Sequence, residues 1–273
     1  MDDDFIIPVF VVFAELSDTF LGTPKYCPKM EAAEIMTVAV VAARYFNNNL
    51  ERALLVMCQT GHIPARRCLS VSRFNRQLHR YADFLEFCLQ TLLELTMSGE
   101  AFIIDSIPAP VCRRARARRC RKVRGRDFCG YCAAKKEKFF GWRLHLICNP
   151  AGLPVAFELL PGAYHDLTPI YEITADLPQG ASLYGDKGYN YVEGEAFLAS
   201  EGLRLIPIRK KNMQRHDWAD EFDLRLYRKG IETVNSQLES MGIERLRART
   251  NAGFDLKIHA SLIALWHTQV TVN

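Results

Sequence analysis

The sequence predicts an α/β fold: a mixed five-stranded sheet with helices on its faces, preceded by an all-helical N-terminal domain. Two observations carry this. Apolar spacing is helical up to about residue 97 and strand-like or alternating after Ser98-Gly99-Glu100, and the later segments run strand, hairpin, helix, strand, helix, strand, helix. A third observation bounds the class. At 273 residues with 49% hydrophobic and 24% charged residues, the chain can bury a catalytic domain and a smaller accessory one, which excludes a disordered or fibrous protein.

Within 1–97, Met30 to Phe46, Leu50 to Gln59, Val71 to Tyr81 and Phe84 to Met97 carry helical apolar spacing. Gly61-His62-Ile63-Pro64 breaks the chain before a short helix that Ser70 or Ser72 would cap. Residues 50–80 therefore resemble a helix-turn-helix. Arg73, Arg76, Gln77 and Arg80 fall on one side while Phe74 and Leu78 pack inward, an arrangement suited to a DNA groove and equally that of an ordinary amphipathic helix.

In 98–273, Ala101 to Ile104 reads as a short strand ending at Asp105, and Phe139 to Cys148 with Pro154 to Leu160 as a hairpin turned by Asn149-Pro150-Ala151-Gly152. Asp166 to Leu177 is predicted helical, Ala181 to Tyr184 a strand, Tyr191 to Ser200 a helix, Leu203 to Ile208 a strand and Asp220 to Met241 a long helix. Three strands that pair antiparallel, then two reached through helical crossovers, give the ribonuclease H-like plan. No repeat of solenoid length is visible.

Net charge is only +4, but Arg113 to Arg143 contains 13 Lys or Arg against Asp127 and Glu137, a local +11 that leaves −7 for the remainder. Cations this concentrated, in a basic loop at 111–138, point to a polyanion partner, with phosphates as the default over a merely solvated loop. The apolar runs near Phe5 to Phe13 and Ile35 to Ala43 are too short or interrupted to span a bilayer, and Met1-Asp2-Asp3-Asp4 is opposite in charge to a secretory signal. The expected location is the cytoplasm, in association with the nucleoid, with no membrane partner. Nine cysteines then favour reduced thiols over a disulfide framework.

Asp105 and Asp186 both lie where an apolar strand meets a turn, so in this sheet order their carboxylates meet at one edge, with Glu232 on the long helix that covers it. Acidic side chains without Cys or His nearby are the ligand set of a hard cation, Mg²⁺ by default with Mn²⁺ able to substitute. Two such ions would activate the attacking oxygen and stabilise the leaving one.

Ile103-Ile104-Asp105-Ser106, Tyr184-Gly185-Asp186-Lys187-Gly188-Tyr189 and Arg228-x-x-x-Glu232 resemble the three catalytic blocks of DDE transposases of bacterial insertion sequences, and Pro161-Gly162-Ala163-Tyr164-His165-Asp166 resembles their intervening block. The resemblance runs from about Leu69 to the C-terminus. Ser72-Arg73-Phe74-Asn75-Arg76 and Phe140-Gly141-Trp142-Arg143-Leu144-His145 are most similar to insertion-sequence family 982. It implies a transposase that binds element ends, self-associates on double-stranded DNA, and cleaves and joins strands at Asp105, Asp186 and Glu232. Lys187 would face substrate. Related families often carry Tyr, Arg, Glu and Lys where this chain has Arg225, Arg228, Glu232 and Glu239, so only the Arg and the catalytic Glu match. Arg225 and Arg228 share a face with Glu232 and are expected to contact phosphate, as are Arg113, Arg114, Arg116, Arg118 and Arg119.

Cys129-Gly130-Tyr131-Cys132 has zinc-ligand spacing, but Cys112 and Cys120 do not form a second close pair, which favours free thiols. His145 and His165 could touch a phosphate or be structural. Gly230 costs roughly 1 kcal/mol within a helix, which suggests close packing. The competing functions are a nuclease of the same fold without strand transfer, and a domesticated DNA-binding protein with a dead site.

Overall fold

The computed structural model describes residues 2–22, 26–133, 135–165, 167–210, 213–214 and 216–272. They form two compact units, Met1–Leu92 with Leu238–Asn273, and Leu93–Gln237.

The first unit is helical: α1 (Asp3–Phe20), α2 (Ala32–Phe46), α3 (Leu50–Gln59), α4 (Val71–Arg80), α5 (Ala82–Thr96, reaching into the second unit) and α9 (Asn251–Val272). Every residue from Ala32 to Ala43 is buried, because α2 is apolar there but for Glu34 and Thr37 and packs against α1, α3 and α9. Two of these helices have no counterpart in the sequence reading. Pro8 interrupts the apolar run of α1 without ending the helix, and α9 lies in this unit although the sequence boundary at 97/98 assigned it to the other. Cys58 and Cys68 are joined by a disulfide across a Cα–Cα separation of 6.4 Å, which corrects the expectation of reduced thiols at this pair. No helix among the described residues is long and apolar enough to cross a membrane.

The second unit is the sheet: β1 (Ala101–Arg113), β2 (Cys129–Cys132), β3 (Glu137–Cys148), β4 (Pro154–Pro161), β5 (Ser182–Gly185) and β6 (Arg204–Pro207), with α6 (Ile170–Ile173), α7 (Val192–Ser200) and α8 (Trp218–Ser240). β4 pairs with β3, β3 with β1, β1 with β5 and β5 with β6. The first two pairings are antiparallel and the last two parallel, the mixed five-stranded order that the sequence predicts. The short β2 adds a sixth strand against the start of β3.

Alternation along β1 decides which helix covers which face. Phe102 and Ile104 join Ile147, Leu183 and Leu205 in a core with Ile170 and Ile173 of α6 and Leu198 of α7. Ala101 packs instead with Tyr184, Ile206 and, on α8, Leu224 and Tyr227.

Three predicted elements change. β1 does not end at Asp105 but continues along β3 to Arg113, and Pro108 and Pro110 are accommodated because its pairing with β5 stops at Ile104↔Gly185. The basic segment is therefore not a loop throughout. It is a 3-10 turn (Arg114–Arg119) and β2 at the far end of a β1–β3 ribbon. The predicted helix Asp166 to Leu177 shrinks to α6, since Pro169 restricts Thr168 and starts the helix late; Asp166, its expected cap, lies outside the described residues.

Candidate active site

The site forms where β1 and β5 part. Ile103 pairs with Tyr184 and Ile104 with Gly185, so Asp105 and Asp186 are the next residues on two neighbouring parallel strands. Both share the parity of Ile103 and Tyr184, the face covered by α8. Asp105 thus occupies a strand interior rather than a strand end, yet stands one residue past the last pair that β1 makes with β5. Gly185 is required here: a Cβ would lie 2.9 Å from the ring of Tyr189, which is fully buried below it.

Asp105, Asp186 and Glu232 line one cavity of about 190 Å³ together with Ile103, Tyr184, Lys187, Leu224, Arg228 and Ile231. Each carboxylate has its own protein partner. The backbone N–H of Ser106 donates to Asp105 Oδ1 at 2.8 Å, and Asn235 Nδ2 donates to Oδ2 at 2.7 Å. Asp186 Oδ1 accepts from the N–H of Gly188 at 2.5 Å and so caps the 3-10 turn Lys187–Tyr189. Glu232 Oε1 accepts from Arg228 Nε at 2.9 Å. Among the described residues no three His, Cys, Asp or Glu side chains are close enough to hold one metal ion.

The donor set nevertheless fits a hard divalent cation, because the lining offers three carboxylates and neither sulfur nor imidazole. The ion pair that occupies Glu232 is weak. Both partners of the Arg228–Glu232 pair are 61% exposed, and such an i,i+4 pair is worth only about 0.3–0.5 kcal/mol. Arg also precedes Glu, the less favourable orientation along a helix.

The walls of the cavity are polar-tethered and apolar. Tyr184 Oη donates to Asp223 on α8 at 3.1 Å; burial and that neighbouring carboxylate raise the phenol well above its ordinary range. The buried Cys148 thiol is likewise pushed up, by burial first and then by the charge of Asp105, and stays inert.

Of the other expected residues, Lys187 and Arg228 line the cavity, whereas Arg225 is exposed outside it. His145 is fully buried and pairs with Ser106, one residue out of phase with Asp105, so it belongs to the opposite face; His165 is exposed. Gly230 has nothing within 4 Å of an added Cβ, so no close packing explains it. Arg73, Arg76 and Arg80 are exposed on α4 above buried Phe74 and Leu78. A recess lined by Lys29, Leu69, Arg73, Arg76, Gln77 and Arg80 lies beside them.

Arg113, Arg114, Arg116, Arg118 and Arg119 are all exposed, and none forms an ion pair among the described residues. Arg143 links the basic segment to the site, donating to Ser106 Oγ at 3.1 Å and to the Tyr131 carbonyl at 2.9 Å.

Two residues escaped the sequence reading, Asn235 and Asp223. Asn235 follows Glu232 by three, a spacing that marks a shared helical face and could have identified it. Asp223 carried no comparable signal.

No curated protein matches the chain. Among solved structures it is similar to the piggyBac transposase in a synaptic complex with hairpin DNA, with a TM-score of 0.48 and 11% identity over 99% of this chain and 73% of that one. Residues 96–251, more than half of the chain, match the family model of the transposase DDE domain, and that span contains Asp105, Asp186 and Glu232. By this match the chain belongs to the transposase DDE domain family.

Proposed function

We propose that this chain is the transposase of a bacterial insertion sequence, closest to family 982, which binds the ends of its element and cuts and joins DNA with Asp105, Asp186 and Glu232. One observation carries the reading: a single cavity, at the edge where the parallel strands diverge, is lined by all three carboxylates in a chain of the DDE family. Two Mg²⁺ ions, or Mn²⁺ in their place, held by these residues would supply an activated attacking oxygen and a stabilised leaving oxygen.

The remaining roles belong to the chain itself. Lys187 and Arg228, at the cavity, contact the phosphate being attacked, and Arg225 a neighbouring one. Once Glu232 turns to the metal, Arg228 is released for that contact. Arg113, Arg114, Arg116, Arg118 and Arg119 hold the DNA backbone. The region of residues 1–97 reads the element end through Arg73, Arg76 and Arg80 on α4, and residues 98–273 perform the chemistry. Protomers associate on DNA, in the cytoplasm and at the nucleoid.

The function is tested by giving the purified chain Mg²⁺, a linear fragment carrying the terminal sequences that flank its gene, and a target plasmid. Cleaved ends joined to the plasmid are expected. Hydrolysis without joined product would instead identify a nuclease, and binding with no cleavage a domesticated DNA-binding protein. End recognition is tested separately. Groove reading typically contributes about 1–3 kcal/mol for each well-placed contact, so converting Arg73, Arg76 and Arg80 to Ala is expected to erase most discrimination between element ends and random DNA in competition gel shifts. An unchanged ratio would remove α4 as the reading helix.

A further inference from the structure

The carboxylate of Asp105 is held from two directions, by its own neighbour in the chain and by a side chain 130 residues away. The N–H of Ser106 on its own strand fixes Oδ1, and the side-chain amide of Asn235 on α8 fixes Oδ2. An ionised carboxylate only accepts, so the atom facing Oδ2 must be the amide nitrogen of Asn235. Donors on both oxygens restrain rotation about the terminal bond and so fix the plane of the carboxylate. The donor is also neutral. A Lys or Arg in its place would offset the charge that a divalent ion needs, whereas an amide orients the group and leaves its charge intact. Asn235 is half-buried, is flanked by the buried Ile231 and Val234, and stands one helical turn from Glu232. The same bond therefore ties the stretch of α8 that bears Glu232 onto β1 at the cavity.

We propose that Asn235 is a positioning residue that orients Asp105, and through α8 Glu232, for divalent-cation binding; this rests on the reading of Asp105, Asp186 and Glu232 as the metal-holding set. Residues that orient a metal ligand in this way typically contribute a factor of about 10–100 in metal affinity.

The test is Mn²⁺ binding to the full chain without DNA, measured by titration calorimetry for the wild type, Asn235→Ala, Asp105→Asn and the double variant. Asn235→Ala is expected to weaken binding by roughly 10–100-fold. Because the amide acts through Asp105, the double variant is expected to bind no more weakly than Asp105→Asn alone. Asn235→Leu, which keeps the branching at Cγ without the donor, is expected to match Asn235→Ala, and thermal unfolding of the metal-free variants checks that each is folded. Wild-type Mn²⁺ affinity in a folded Asn235 variant, or losses that simply add in the double variant, would overturn the proposal. If Asp105→Asn itself binds Mn²⁺ like the wild type, the premise that Asp105 is a ligand has failed, and the role of Asn235 falls with it.

Discussion

Asp105→Asn, Asp186→Asn and Glu232→Gln are each expected to abolish Mg²⁺- or Mn²⁺-dependent cleavage of element ends while leaving gel-shift affinity for the same DNA intact. The three changes remove a charge without changing shape, and at Asp105 an amide oxygen can still accept from the Ser106 N–H that now holds Oδ1. Losing one ligand forfeits several kcal/mol of transition-state charge stabilisation. At about 1.4 kcal/mol for each factor of ten, cleavage falls on the order of 10³-fold. Affinity survives because it comes from cationic surfaces outside the cavity. Cleavage at the wild-type rate by any one variant would remove that residue from the catalytic set. Glu232 is the most exacting case, because its carboxylate is paired with Arg228 and would have to leave that pair to serve as a ligand.

Neutralising Arg113, Arg114, Arg116, Arg118 and Arg119 together is expected to weaken binding to all DNA sequences alike and to flatten its salt dependence. The five side chains are exposed and form no ion pair among the described residues, so their removal leaves the sheet intact. Each phosphate contact contributes a slope of about 0.9 in log K against log salt, so five contacts account for about four to five. Filter binding across a salt series, for the wild type and the five-site variant, measures this directly. An unchanged slope would show that these arginines do not touch phosphate. Repeating the series with a chelator separates a second possibility. Loss of affinity on chelation, dependent on DNA sequence, would indicate a zinc-ordered segment that reads bases through Cys112, Cys120, Cys129 and Cys132.

Periodicity and turn chemistry alone determined the order of the sheet elements and the course of α8. Both are local properties: Asn149-Pro150-Ala151-Gly152 must turn, and the stretch from Asp220 carries apolar residues at helical spacing until Gly242 stops it. The aspartates were visible for the same reason, as charged residues at the end of apolar runs. Tertiary structure decided where those runs truly stop. Ala101–Ile104 read as a complete strand because the apolar run gives way there to Asp105 and the turn-forming Ser106, but a strand extends as far as a neighbour offers hydrogen bonds, and β3 offers them to Arg113, past Pro108 and Pro110. The side on which β5 has ended needs no donor, so proline is tolerated there. Pairings distant in sequence were equally invisible: the Cys58–Cys68 bridge, α9 within the helical unit, and the Tyr184–Asp223 contact. Asn235 meets Asp105 only because α8 crosses the sheet face on which β1 and β5 diverge. The sequence alone could name the carboxylates. How each is held depends on which helix covers which face, and that is settled by packing the whole unit.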